Sequence, residues 1–402
     1  MNGAVFDDLR QERAPRTIPG MAPAELELRT VASIREIGEN TWSELSRGAP
    51  PFLGYVWLEA LENAGCVGAD VGWLPLYLTL SRAGTTVAAA PVFVKGHSEG
   101  EFVFDHSWAR FAAVELGIDY YPKLIVAVPF TPATGPRLLI RPGVEREPLL
   151  SAFARALDVL ARRLGVSSAH VLFPTAEQAE GLGKAGLARR VGIQFHWKNA
   201  GYKTFDDFLS AFNAKRRHQI RRERRELEAQ GVRVKVLTGS DLTPAIVDHA
   251  YDFYLATVDK FAWGRRYLNR EFFEEVAARM GPALHWVFAF DGNKPIAGAL
   301  NILGSRALYG RYWGALEERP FLHFNVCYYK GVEECIERGL DLFEPGAGGE
   351  HKRARGFEPA LTHSAHLLVD PRLDGAVRDF LRRERAAVEA FSNDPASRVL
   401  KT

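Results

Sequence analysis

Residues 284–313 read LHWVFAFDGNKPIAGALNILGSRALYGRYW. Three apolar runs, Leu284–Phe290, Pro295–Leu303 and Ala307–Trp313, are separated by short polar or glycine-bearing gaps. The first gap holds Asp291-Gly292-Asn293, and Asp-Gly between two apolar runs is a strong hairpin signal, because these residues accept the positive φ of a tight turn. Connections this short cannot carry a crossover, so the three strands form an antiparallel meander and not part of a doubly wound parallel sheet.

Around this meander, helical periodicity covers 205–230, 244–259 and 270–280, with a strand at 232–237. A helix at 325–338, a strand at 340–343, a Gly-rich loop at 345–356, a strand at 361–369 and a helix at 375–390 follow. The first half has the same order. A helix at 52–64 precedes strands at 74–81 and 86–94, joined by Arg82-Ala83-Gly84, and a third strand at 101–105. A helix at 109–116 and a strand at 123–128 come next. The helix at 147–164 carries Leu149, Leu150, Phe153, Leu157 and Leu160 on one stripe. A strand at 169–173, a helix at 175–186 and a strand at 193–197 complete the half. The repeat is architectural, with no matching repeat of residues. The order helix–helix–β–β–β–helix–β resembles the GCN5-related N-acetyltransferase (GNAT) fold. The expectation is therefore an α/β (α+β) chain of tandem duplicated GNAT-like domains with mostly antiparallel sheets. The expected division is a flexible lead-in 1–24, a first domain 25–198, a second domain 199–370, and a C-terminal helix 371–402 packing back on the first domain.

A chain of 402 residues fits two such domains. With 47% hydrophobic and 25% charged residues it can bury a sizeable core, which excludes disorder by composition. Lys and Arg number 51 against 49 Asp and Glu, which excludes a uniformly basic nucleic-acid coat but not a local patch. Cys66, Cys327 and Cys335 form no CxxC pair, so neither a disulfide framework nor a cysteine zinc site is expected. His351, His363 and His366 lack a metal-ligand pattern, and no metal is expected. The N-terminus is too charged for a secretory signal, and no apolar run approaches the ~20 residues of a membrane span. A cytoplasmic setting is the expectation.

Lys215 to Arg225 holds seven Lys or Arg against one Glu. On a helix, Arg217, Arg221, Arg224 and Arg225 are neighbours that repel, and a phosphate-bearing ligand would relieve them. The alternative is a solvated face partnered by Glu223, Glu226 and Glu228. In Glu344 to Phe357, glycines allow close backbone approach, Lys352, Arg353 and Arg355 can hold phosphate or carboxylate, and Glu350 or His351 can act as a general base. The alternative is a charged surface loop. Asp105 or His106, beside Ser107 and Trp108, reads as a pocket residue at a strand end or as a helix cap. Lys123 and Arg137 bracket a proline-rich loop that either recognises an anionic group or merely connects.

Phe104–Ala109, Tyr121–Leu124, Pro129–Arg137, Lys215–Arg225, Arg311–Gly314, Phe324–Tyr329, Gly348–Lys352 and Arg355–Phe357 together carry a family likeness. Over residues 30 to 370 the chain resembles the N-acyltransferases known as peptidoglycan biosynthesis/recognition proteins, which are similar to the Fem-type aminoacyltransferases. The resemblance implies a tandem acetyltransferase-like fold with a cleft between domains, and transfer of an amino acid from charged tRNA to an amine on a peptidoglycan precursor. It implies that Lys352 holds the oxyanion or a phosphate, that Glu350 or His351 takes the amine proton, and that Arg216, Arg217 and Arg221 hold a phosphate-bearing substrate. Asp105, His106, Trp108, Lys123, Arg137, Tyr312, Trp313, Asn325 and Arg355 are the other expected substrate contacts. The helical coiled-coil arm of some Fem members is missing. No cofactor is required. The donor is aminoacyl-tRNA or, second, acyl-CoA, and the acceptor is an amine-bearing small molecule or peptide. Neither half has the (Arg/Gln)-x-x-Gly-x-(Gly/Ala) turn that cradles the CoA pyrophosphate, which disfavours CoA. A non-catalytic RNA- or cell-wall-precursor-binding protein is the third reading.

Overall fold

The computed structural model describes residues 16–17, 26–260, 265–394 and 400. The chain divides into two compact units, Met1–Gly192 with Thr362–Glu389, and Ile193–Leu361 with Ala390–Thr402. Of the expected lead-in, only the pair Arg16–Thr17 is described, as strand β1; the rest lies outside the described residues.

In the first unit β1 pairs with β2 (Glu27–Val31). Helices α1 (Glu39–Leu45) and α2 (Tyr55–Asn63) follow, then strands β3 (Trp73–Pro75), β4 (Tyr77–Arg82), β5 (Thr85–Ala90) and β6 (Val92–Lys95). The β4–β5 turn has φ of 48° at Ala83 and 77° at Gly84, the paired positive values of a type I′ hairpin. Strands β1, β2, β4, β5 and β8 (Leu139–Ile140) make one sheet. In a second sheet β6 runs antiparallel to β7 (Lys123–Val126), β7 parallel to β9 (Ser168–Leu172), and β9 antiparallel to the last strand of the chain. Helix α3 (His106–Phe111) precedes β7, and α4 (Arg146–Arg163) connects the parallel pair. The α4 stripe expected from the sequence is buried against Leu78, Leu124, Val126 and Val171. Helix α5 (Ala176–Lys184) and strand β10 (Ala188–Lys198) lead onward.

The second unit opens with α6 (Phe205–Ser210) and α7 (Ala214–Ala229), where the periodicity predicts one helix. The break follows from local capping. Thr204 and Asp207 form a capping box on α6, and the Asn213 side chain accepts from the Arg216 N–H to start α7 afresh. Strand β11 (Val232–Leu237) and helices α8 (Pro244–Val258) and α9 (Arg270–Met280) come next. The meander is as the sequence predicts: β12 (Leu284–Asp291), β13 (Lys294–Leu303) and β14 (Ala307–Ala315), all antiparallel. A π-turn, Asn325–Tyr329, feeds α10 (Lys330–Glu337), and β15 (Leu342–Glu344) then pairs parallel with β14 over Ala307–Tyr309. Each unit thus holds one helix-linked parallel pair in an otherwise antiparallel sheet.

The two units divide at 192/193 and 361/362, where the sequence places its boundaries at 198/199 and 370/371. Trp197 and Lys198 of β10 pair with β15 in the second unit. From β16 (Glu358–Leu368), Ser364–Leu368 pair with β9 in the first. Helix α11 (Pro371–Asn393) then buries Leu373, Val377 and Leu381 with Trp108 and Tyr120. The expected strand at 101–105 is not one. Glu101 and Asp105 turn inward onto Lys123, whose Nζ donates to Ser98 Oγ at 2.7 Å, Glu101 at 2.9 Å and Asp105 at 2.5 Å. Ion pairing there replaces a ladder, and the expected strand 86–94 divides instead into β5, which pairs with β4 and β8, and β6, which pairs with β3 and β7 in the other sheet. Tyr120 OH donates to Asp105 and meets His170, whose Nδ1 lies 2.8 Å from that of His366.

Lys123 and both carboxylates are buried, so removing the cation leaves Asp105 without an ion-pair partner among the described residues and Glu101 with only Lys95, 4.0 Å away. Lys123→Met is expected to cost about 3–5 kcal/mol, read as a lowered urea midpoint of the full chain; a loss below about 1 kcal/mol rejects it. Burial holds His170 neutral, with its pKa pushed down to about 3, and holds His366 neutral as well. The unfolded imidazoles bind protons below about pH 6.5 and the folded ones do not. Melting temperature is therefore expected to fall steadily as pH drops from about 6.5, with a shallower fall in the double variant His170→Gln, His366→Gln.

Candidate functional site

Strands β14 and β15 separate after Tyr309 and Glu344, and a cavity of about 230 Å³ lies where they part. Asn301, Gly310, Arg311, Tyr312, Trp313 and His323 line it, with Cys327, Tyr328, His351 and Lys352. Leu300 faces Tyr312 and Asn301 faces Gly310, so Arg311 is the extra residue of a bulge on the cavity wall. A Cβ at Gly310 would lie 3.0 Å from Pro345 Cα, so only glycine lets the chain after β15 come this close.

Asn301 sits inside an apolar strand and is 1% exposed. Its amide Nδ2 has no hydrogen-bond partner among the described residues. Such a donor on a cavity wall is left for a ligand oxygen. Lys352 is also buried. Its Nζ donates to the carbonyls of Gly346 at 2.7 Å and Ala347 at 3.3 Å, folding the glycine loop over the cavity. Burial pushes its pKa down to about 8, and among the described residues no carboxylate offsets the charge. His351 is exposed on one face, and its Nε2 lies 2.8 Å from Tyr328 OH. Burial, then the Lys352 and Arg355 charges, lower its pKa, so the imidazole is neutral near pH 7. Its ring lies 5.6 Å from that of His323, which in turn packs edge-on against Trp313 and Tyr328.

The structure brings the expected Lys352, His351, Tyr312 and Trp313 together at this cavity. The Glu350 side chain lies outside the described residues. Arg355 and Asn325 stand behind the wall: Arg355 Nη2 donates to both Glu223 oxygens at 3.2 Å, and Asn325 Nδ2 donates to the Glu223 carbonyl at 3.1 Å. Helix α7 is less free than its sequence suggests, because two acids from other segments join one of its own. Arg221 pairs with Asp206, Arg222 with Glu226 and Arg224 with Glu333. Arg216 donates to Gln219, and Arg217 to the carbonyl of Phe212. A second cavity beside α7, about 280 Å³, has its Arg224 and Lys330 both answered by Glu333.

In the first unit the expected contacts scatter. Lys123 and Asp105 are consumed by the buried network, and Trp108 is core. His106 is exposed at the start of α3. Arg137 is not an anion-recognising cation. It is 1% exposed and donates to the carbonyls of Leu172, Gly135 and Ala133, fastening its own loop. Among the described residues no cluster of His, Cys, Asp or Glu could hold a metal, and no helix is long and apolar enough to cross a membrane.

No curated protein matches the sequence. Among solved structures, FemX is similar over 87% of this chain and all of its own, with 10% identity and a TM-score of 0.50, which shows a shared fold. L-PGS from Bacillus licheniformis aligns over 81% of this chain and 95% of its own, at 9% identity and a TM-score of 0.48. A tandem GNAT protein from the clavulanic acid biosynthesis pathway aligns over 86% and 99%, at 12% identity and a TM-score of 0.47. The fold is thus a mixed α/β one with mostly antiparallel sheets, shared with FemX. Residues 33–399 match the FemAB-like family, described as peptidoglycan biosynthesis/recognition, and the chain belongs to that family.

Proposed function

We propose that the protein is an N-acyltransferase that passes an aminoacyl group from an activated ester, that of a charged tRNA, to an amine acceptor within the second-unit cavity. The observation that carries this reading is a neutral, partly exposed His351 held by Tyr328 beside a buried cation and an unpartnered amide donor. Aminolysis forms the C–N bond as the ester C–O bond breaks, so it needs a free amine, a group that takes the amine proton and returns it to the leaving ribose oxygen, and stabilisation of the tetrahedral oxyanion. With His351 Nε2–H donating to Tyr328, Nδ1 keeps a lone pair for the amine proton. Asn301 Nδ2 and the Lys352 charge favour the oxyanion, and the loop over the cavity excludes water. Lys215, Arg216, Arg217 and Arg225 of α7 have no acidic partner among the described residues, and of these Arg216 and Arg217 are suited to the phosphates of the donor. Acyl-CoA is the alternative donor.

The test is a mass-spectrometric transfer assay with aminoacyl-tRNAs and acyl-CoAs against amine acceptors. His351→Gln is expected to lower kcat/KM by about 10²–10⁴-fold, and Asn301→Ala by about 10²-fold. Wild-type rates with the well-folded His351→Gln protein would sink the base assignment.

The pH profile has two limbs with defined signs. A base must be neutral, and the His351 pKa lies below its ordinary value, so activity is lost only as pH falls below about 6.5. The Lys352 charge is lost as pH rises through about 8. Lys352→Arg keeps its proton, so that variant is expected to lose the alkaline limb while retaining the acid one. An unchanged alkaline limb removes Lys352 from the mechanism.

A further inference from the structure

Helix α7 carries the densest run of cations in the chain, yet the residue at its centre, Glu223, is 3% exposed. It faces inward, away from the arginines that surround it in sequence. Four side chains converge on its carboxylate or backbone. Arg355 bridges both oxygens, Tyr329 OH donates to Oε2, Gln219 donates to Oε1 at 2.9 Å, and Asn325 holds the Glu223 carbonyl. The same Arg355 guanidinium lies 3.2 Å from the centre of the Phe324 ring and donates from Nη1 to the carbonyl of His351 at 3.1 Å. Arg355 is 7% exposed, and Glu223 is its only ion-pair partner among the described residues.

We propose that Glu223 and Arg355 are the positioning residues of His351: the buried pair ties the turn Glu350–Arg355 to helix α7 and so sets where the imidazole stands on the cavity wall. This rests on the reading of His351 as the base. The pair contacts the His351 backbone through one hydrogen bond, and Arg355 is four residues further along the same turn. Two fixed points, Tyr328 on the ring and Arg355 on the backbone, leave the ring little freedom. Freed of Glu223, Arg355 would be a buried charge without a counter-ion, and the cost would displace the His351 backbone that it holds without exposing the ring. Misplacement of a catalytic group by about 1 Å costs about 10²-fold in rate.

The charged and titratable groups facing His351 are Lys352 and Arg355 on its own turn, Tyr328 from the π-turn and His323 from the segment before it. Glu223 acts by screening Arg355. This gives the two halves of the pair opposite electrostatic signs. Glu223→Gln leaves the Arg355 charge unscreened and lowers the His351 pKa further, whereas Arg355→Met removes a positive charge and raises it. Mere loosening of the turn would hydrate the ring and raise the pKa in both variants.

The experiment is an NMR titration of the full chain with ¹³C-labelled histidine, the His351 signal identified by its loss in His351→Gln. Alongside it, kcat/KM is measured for wild type, Glu223→Gln, Arg355→Met and Arg355→Lys. Expected are opposite shifts in the first two variants, a near-wild-type titration in Arg355→Lys, and losses of about 10–100-fold in kcat/KM for Glu223→Gln and Arg355→Met. Shifts in the same direction, or none, overturn the proposal, and so do unfolded variants that Arg355→Lys does not rescue. Opposite shifts in a protein that transfers no acyl group from any donor leave the positioning standing and overturn only the assigned activity.

Discussion

Strands β14 and β15 run side by side for three residues and then part. A parallel ladder exists only while both strands present backbone groups to each other. Beyond Tyr309, β14 keeps its bonds to β13 and loses those to β15. The chemistry of the second unit is arranged around this opening. The bulge at Arg311 distorts one wall, Gly310 lets the Pro345 backbone approach, and Lys352 draws the glycine loop across the top. The cavity is thus a product of strand geometry, and the loop and π-turn supply its polar groups.

Buried charge is handled in two ways. In the first unit Lys123 meets two carboxylates, and their attraction offsets the cost of leaving water. The product is a rigid centre, joined through Tyr120 to the facing imidazoles of His170 and His366. In the second unit Arg355 is matched by Glu223, but among the described residues Lys352 meets neutral carbonyls and no carboxylate. A cation left in this state favours whatever negative charge forms nearby, which is what an oxyanion-forming reaction exploits.

The meander at 284–313 was legible because alternation, an Asp-Gly turn and short gaps all agree, and so was the buried stripe of α4. The region 101–105 was not, because Glu101 and Asp105 interrupt no ladder but answer a lysine in another strand, a pairing that local pattern cannot express. Helix α7 was legible only in part for a related reason: Asp206 and Glu333, which neutralise Arg221 and Arg224, are remote in sequence or across a cap. At the cavity, His351 and Lys352 stood out through their glycine-rich setting. Asn301 carried a signal that could have been heeded, a lone amide in the apolar run of β13. Tyr328 and Glu223 carried none, since an aromatic on a helix face and an acid among arginines both read as ordinary.

The first unit is begun by strands made before the second unit and is completed by residues 362–389, made after residues 193–361 of the second. Until those residues leave the ribosome, β9 is an open sheet edge, and Trp108 lacks the cover of Leu373, Val377 and Leu381. The nascent chain must therefore carry an unfinished first unit through the whole synthesis of the second, and the usual order in which an N-terminal domain folds and is done with does not apply. Emergence of residues 362–389, not of the first half, is the event that closes the fold.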